Sequence, residues 1–197
     1  MNRLRRLARL DLDVLDEVAR DPDATAASVA VAAVSTVLAG LGGWLWWMSS
    51  GLGDVRAADS VFVKSVLFGS VASLGLWGVW LIVVAWVLQR LAKTMVQVGP
   101  LVRAAGMATV PLAFGILMVV PVVSFSLGLL AIAGWVLLTQ SAIERATGIR
   151  GGEVILANLA GFAVWAAVLS LLTTGDNQFA PGIFLAESLW DLVASAS

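Results

Sequence analysis

The sequence has no cysteine and no histidine, only 13% of its residues are charged, and its formal net charge is −1. Without thiolate or imidazole, disulfides, haem ligated by His and nearly all zinc and copper sites are excluded, and carboxylates alone remain as metal ligands. No global basic field points to nucleic acid. No Gly-rich phosphate loop, Ser/His/Asp set or catalytic carboxylate pair can be assembled, so no catalytic, cofactor or metal site is expected.

What is present is hydrocarbon. Of 197 residues, 60% are hydrophobic, and the mean hydropathy is +0.95. A soluble domain of that composition would expose apolar patches large enough to aggregate. A bilayer solvates such side chains and demands only that backbone polar groups pair internally, which helices achieve. The expected class is an all-α membrane protein, a five-transmembrane-helix bundle with an N-terminal amphipathic cytoplasmic helix and a short outer-surface C-terminal segment.

Charge placement divides the chain. Residues 1–24 carry Arg3, Arg5, Arg6 and Arg9, then Asp11, Asp13, Asp16, Glu17, Asp21 and Asp23, with Leu4, Leu7, Leu10, Val14, Leu15 and Val18 between them at helical spacing. Two uses fit such a segment. It lies on an anionic leaflet, each Arg contributing ~1 kcal/mol near the surface, or it caps the loops of the bundle. Residues 25–172 form the transmembrane domain, with spans at about 25–48, 66–88, 104–119, 124–142 and 154–172, judged against the ~20 residues a span needs. The first is read as a retained span, its apolar run being too long for a signal-peptide h-region.

Residues 102–142 are uncharged apart from Arg103, and as one helix they would measure roughly 60 Å, about twice the hydrocarbon thickness. The chain must turn back. Pro121 lies near the middle and removes a backbone donor, which places a hairpin there, with a shallow re-entrant loop as the alternative. Pro111 is expected to kink the third span. Residues 173–197 read as an acidic extracytoplasmic tail, with Ile183, Phe184, Leu189, Trp190 and Val193 on one face of an interfacial helix.

Five spans with a cytoplasmic N-terminus place ten of the twelve basic residues inside: five in 1–24, three in 89–103 and two in 143–153. That split favours this orientation, with the C-terminus extracytoplasmic. Candidate cytoplasmic contacts to lipid or partner are Arg3, Arg5, Arg6, Arg9, Arg90, Lys93, Arg103, Arg145 and Arg150. No ionisable residue falls inside the expected spans, so the sign of an ion path is missing. The candidate intramembrane polar contacts are Gln140 and Asn158, at similar depth and able to pair across helices. Trp44, Trp46, Trp47 and Trp190 are expected as interface anchors, while Trp77, Trp80, Trp135 and Trp165 lie deeper and pack against small residues. Gly69 with Ser73, Ser124 with Gly128, and Ala157 with Gly161 have the four-residue spacing that lets helices approach closely.

The order of features resembles the Yip domain family, polytopic membrane proteins named for interaction with Rab/Ypt-type GTPases, in its shorter prokaryotic form. The resemblance runs from Asp16-Glu17-Val18-Ala19-Arg20-Asp21-Pro22-Asp23-Ala24 through Val102-Arg103-Ala104-Ala105-Gly106-Met107-Ala108-Thr109-Val110-Pro111, the Pro121 hairpin, Gly134-Trp135 and the loop from Gly148 to Glu153. It implies a five-helix domain with a cytoplasmic N-terminus. Met107 stands where family members often carry an aromatic residue, and the Asp-Leu-Tyr-Gly-Pro segment of eukaryotic relatives is absent, so GTPase binding does not carry over. The expected function is a non-enzymatic membrane organiser or recruiting subunit whose partners are the bilayer and other membrane proteins or itself. The alternative is an oligomeric transporter of a small solute or lipid.

Overall fold

Residues 2–50 and 61–173 are described by the computed structural model, and every regular element among them is helical. Arg56 and the acidic tail with Trp190 lie outside the described residues. Two short helices, α1 (Asn2–Ala8) and α2 (Asp13–Arg20), precede α3 (Ala24–Ser49). A π-helical turn, Val63–Phe68, leads into α4 (Gly69–Leu91). The third span is α5 (Val98–Met107) followed by a 3₁₀ helix, Val110–Val119. After Pro121–Val123 come α6 (Ser124–Thr147) and α7 (Gly152–Thr173). Five helical stretches are long and apolar enough to cross a bilayer, Ala24–Ser49, Val63–Leu91, Val98–Val119, Ser124–Thr147 and Gly152–Leu171. The chain is a multi-pass α-helical membrane protein.

Helices outrun the uncharged stretches. The second begins before Lys64, the third before Arg103, and the fourth continues past Glu144 and Arg145 to Thr147. A charge on the last turn of a membrane helix reaches the interface along its own side chain, so it need not end the helix. α6 stops instead at Gly148, whose φ of 71° lets its N–H bond back to the Glu144 carbonyl.

The N-terminal segment differs from the single amphipathic helix read from its spacing. Leu10 adopts a left-handed φ of 61°, the Leu10 N–H donates to the Leu7 carbonyl, and the Asp11 N–H to the Arg6 carbonyl. Those two bonds are a Schellman closure with leucine where glycine is usual. Spacing cannot reveal it, because Leu10 continues the apolar periodicity.

The third span is the hub of the bundle: 56% of its most apolar stretch is buried, against 33% or 39% in the other four. It packs on α3 along its whole length, and α6 returns beside it. Pro111 ends the α-helical ladder, and the chain continues as ten residues of 3₁₀ helix instead of a kinked α-helix. In a 3₁₀ helix, residues three apart eclipse. Leu112, Gly115 and Met118 therefore form one buried line, while Phe114, Leu117 and Val120 form an exposed one. The exposed line suits lipid.

Candidate functional site

Two regions concentrate chemistry: the N-terminal cap with the basic ends of the spans, and the aromatic interior.

The cap begins with α2, whose apolar stripe Val14, Leu15, Val18 and Ala19 is buried against Ala104, Met107 and Ala108 of the third span and Ala142 of α6. Of the two uses open to the segment, α2 has the second: it is a lid on the bundle end. Ion pairs set its orientation. Arg3 Nη2 donates to Asp21 Oδ2 at 2.7 Å, Arg6 Nε to Asp11 Oδ2 at 2.8 Å, and Arg6 Nη1 to both oxygens of Glu17 at 2.8 and 2.9 Å. From α6, Arg145 Nη1 reaches Asp13 Oδ1 at 3.0 Å and also Asp16. From α5, Arg103 donates through Nε and Nη2 to the Ala19 carbonyl at 3.1 and 2.6 Å, capping the C-terminal end of α2.

Hydrogen bonding from Arg6 holds the Asp11 carboxyl below the ordinary carboxylate range, and Arg3 does the same for Asp21; Asp11 in turn raises Arg6. Exposed pairs of this kind contribute little each. Their sum selects one docking geometry for a helix already held by its apolar face.

Four of the nine expected cytoplasmic contacts, Arg3, Arg6, Arg103 and Arg145, are thus turned inward onto the chain's own acids and a carbonyl. The signal lay in the interleaved Asp and Glu of the same segment. Arg5, Arg9 and Arg150 are exposed and have no ion-pair partner among the described residues. Arg90 stacks over Trp86 at 5.6 Å, and with Lys93, Thr94 and Met95 it lines a shallow basic depression. The connection 94–97 lies against Ala146, Thr147 and Ile149.

Gln140 and Asn158 do not pair. Gln140 Nε2 donates to Glu144 Oε1 at 3.1 Å on its own helix, whereas Asn158 Nδ2 crosses from α7 to the Val136 carbonyl of α6, also at 3.1 Å. The longer glutamine reaches one turn along its helix, and the shorter, buried asparagine meets the backbone facing it. Asn158 Oδ1 and Thr139 Oγ1 are buried without hydrogen-bond partners among the described residues.

The tryptophans divide in the same way. Trp44 and Trp46 are half-buried, and Trp44 packs edge-on against Phe62 at 5.2 Å. Trp47, expected as an anchor, is fully buried against Val61. Three indoles within one turn cannot all face outward at 100° per residue. Deeper, Trp80 of α4 meets Trp135 of α6 at 4.7 Å, Trp135 meets Trp165 of α7 at 5.0 Å, and Phe162 stacks on Trp165 at 5.8 Å. Gly161 makes room for this cluster: a Cβ there would lie 2.0 Å from Trp80 Cδ1.

The closest approach in the bundle involves small residues outside the expected pairs. A Cβ on Gly42 would lie 1.9 Å from the Gly115 carbonyl oxygen, and one on Gly106 would lie 2.6 Å from the Ser28 carbonyl oxygen. Along α3, Ser28, Ala32, Ser35, Ala39 and Gly42 alternate at steps of four and three, a seam of small residues legible in the sequence. Comparison with protein-family models, with curated proteins and with solved structures finds no match.

Proposed function

We propose that the chain is a non-enzymatic membrane organiser of the Yip type, which recruits partners through a preformed cytoplasmic surface. The observation that carries this reading is a gathering at one end of the bundle. The cap packs on α5 and α6, and the connection after α4 lies against the connection after α6. The segments expected to hold ten of the twelve basic residues therefore adjoin one another. The positive-inside rule makes that end cytoplasmic. Arg90, Lys93 and Arg150 face outward there, beside a cap that is already folded and so loses little entropy on binding.

Crosslinking and affinity purification from native membranes in mild detergent tests the reading, comparing the intact chain with an Arg90→Glu, Lys93→Glu, Arg150→Glu variant. A specific partner retained by the first and lost by the second is expected. An intact chain that purifies alone as a homo-oligomer would sink it.

One observation favours a second reading, transport of a small solute or lipid by an oligomer: Asn158 Oδ1 and Thr139 Oγ1 are buried without partners among the described residues. A substrate-dependent flux in proteoliposomes, abolished by Asn158→Leu in a folded protein, would select it over recruitment.

A further inference from the structure

The arginines of α1 divide by direction. Arg3 and Arg6 bond to the acids of the cap, while Arg5 is exposed, with no hydrogen-bond or ion-pair partner among the described residues. Arg5 stands at the rim of a groove of about 680 Å³ between α1, α3 and the 3₁₀ helix, whose walls include Leu4, Val31, Val34, Val110 and Ala113. The walls are almost wholly apolar, and Val34 is 57% exposed. Val31 and Val34 lie seven and ten residues into a span that starts at Ala24, which at 1.5 Å per residue is roughly 10–15 Å along it. A groove at that level opens onto lipid chains, with its one cation toward the headgroups.

We propose that this groove is a binding site for an anionic phospholipid of the leaflet on the cap side. Its phosphate meets Arg5, and an acyl chain lies along Val31, Val34, Val110 and Ala113. The order from the cap inward is cation and then hydrocarbon, which is the order of phosphate and chain in such a lipid. Groove volume falls in the range of small-molecule sites, ~300–1,000 Å³. An apolar groove alone would take any chain; the unpaired guanidinium is what selects negative charge. The proposal is independent of the recruiting role.

The test is lipid titration of the purified full-length chain by native mass spectrometry, with phosphatidylglycerol and phosphatidylcholine of identical chains. One arginine at the surface corresponds to about a fivefold preference for the anionic lipid. Arg5→Gln is expected to bring the two lipids to parity, and Val34→Trp to weaken both by filling the groove. Both altered positions are exposed, and circular dichroism checks that the helices persist. Equal binding of the two lipids by the unaltered chain would overturn the proposal, as would a preference that survives Arg5→Gln. So would competition by soluble glycerol phosphate at equal concentration, which marks a simple anion site, or a crosslink from Val34→Cys to a second copy, which marks a protein interface.

Discussion

Where α3 crosses the third span, side chains are nearly absent: Gly42 faces the Gly115 carbonyl, and Ala39 and Ser28 complete the seam. Where α4, α6 and α7 meet, the reverse holds, and Trp80, Trp135 and Trp165 fill the space between helices with rings at 4.7 to 6.5 Å. Both regions are built from helices apolar enough to cross a bilayer. Lipid tails are as apolar as leucine, so burial alone does not drive helices together in a bilayer. Contact must come from shape. One side obtains it by letting backbones touch, the other by interlocking aromatic edges and faces, each pair adding about 0.5–1.5 kcal/mol beyond area.

The difference has consequences that can be broken one at a time. Gly42→Leu should have the largest effect, because the new Cβ meets backbone that no rotamer change can move. A loss of about 3 kcal/mol is expected from overpacking of this kind, read as a lower melting temperature in detergent; an unchanged melt would mean the seam is not tight. Trp80→Ala follows. Truncation in lipid forfeits packing more than transfer energy, so about 2 kcal/mol is expected, below the usual range for a soluble core. Gly161→Ala then sharpens the contrast: harmful alone, because its Cβ meets the Trp80 ring, it should become nearly neutral in the Trp80→Ala background. Additive losses in that double-mutant cycle would refute the ring as the cause.

Asn158→Leu should be smaller, about 0.6 kcal/mol, the typical worth of an interhelical hydrogen bond in a membrane. A loss several times larger would give Asn158 a part in the fold that a single bond to Val136 does not explain.

The cap supplies the last contrast, since charge and not shape orients it. Asp11 and Asp21 have folded pKa values lowered by Arg6 and Arg3. Their contribution is therefore present above the unfolded carboxylate range, about pH 4, and is lost as pH falls through the lower folded values. The chain has no cysteine, so a spin label on Arg20→Cys reports α2 alone. It should gain mobility below about pH 4 while the spans stay folded. A label that loosens near neutral pH would contradict this assignment.

Much of the plan was open to reading because it depends on local quantities. Length, hydropathy and the position of Arg90, Gly148 and Pro121 mark span and turn along the chain without reference to a neighbour. The deep tryptophans were likewise legible as interior, since four of them fall in mid-span. Other features resisted. Nothing in the run Leu7 to Asp11 announces a left-handed leucine, and Pro111 is as compatible with a kink as with ten residues of 3₁₀ helix. The α3 seam falls outside the small-residue pairs expected from spacing, and nothing along the chain names its partner.

By itself, then, the sequence determined that the chain lives in a bilayer as five helices, because the free energy of placing a residue in hydrocarbon is close to additive along the chain. Tertiary structure alone decided which arginines face inward and which outward. It also decided that Trp47 is buried while Trp44 and Trp46 are only half covered, and that Gly42 meets Gly115. Those outcomes depend on which surface lies opposite, and in a medium where every surface is apolar, hydropathy carries no record of the partner.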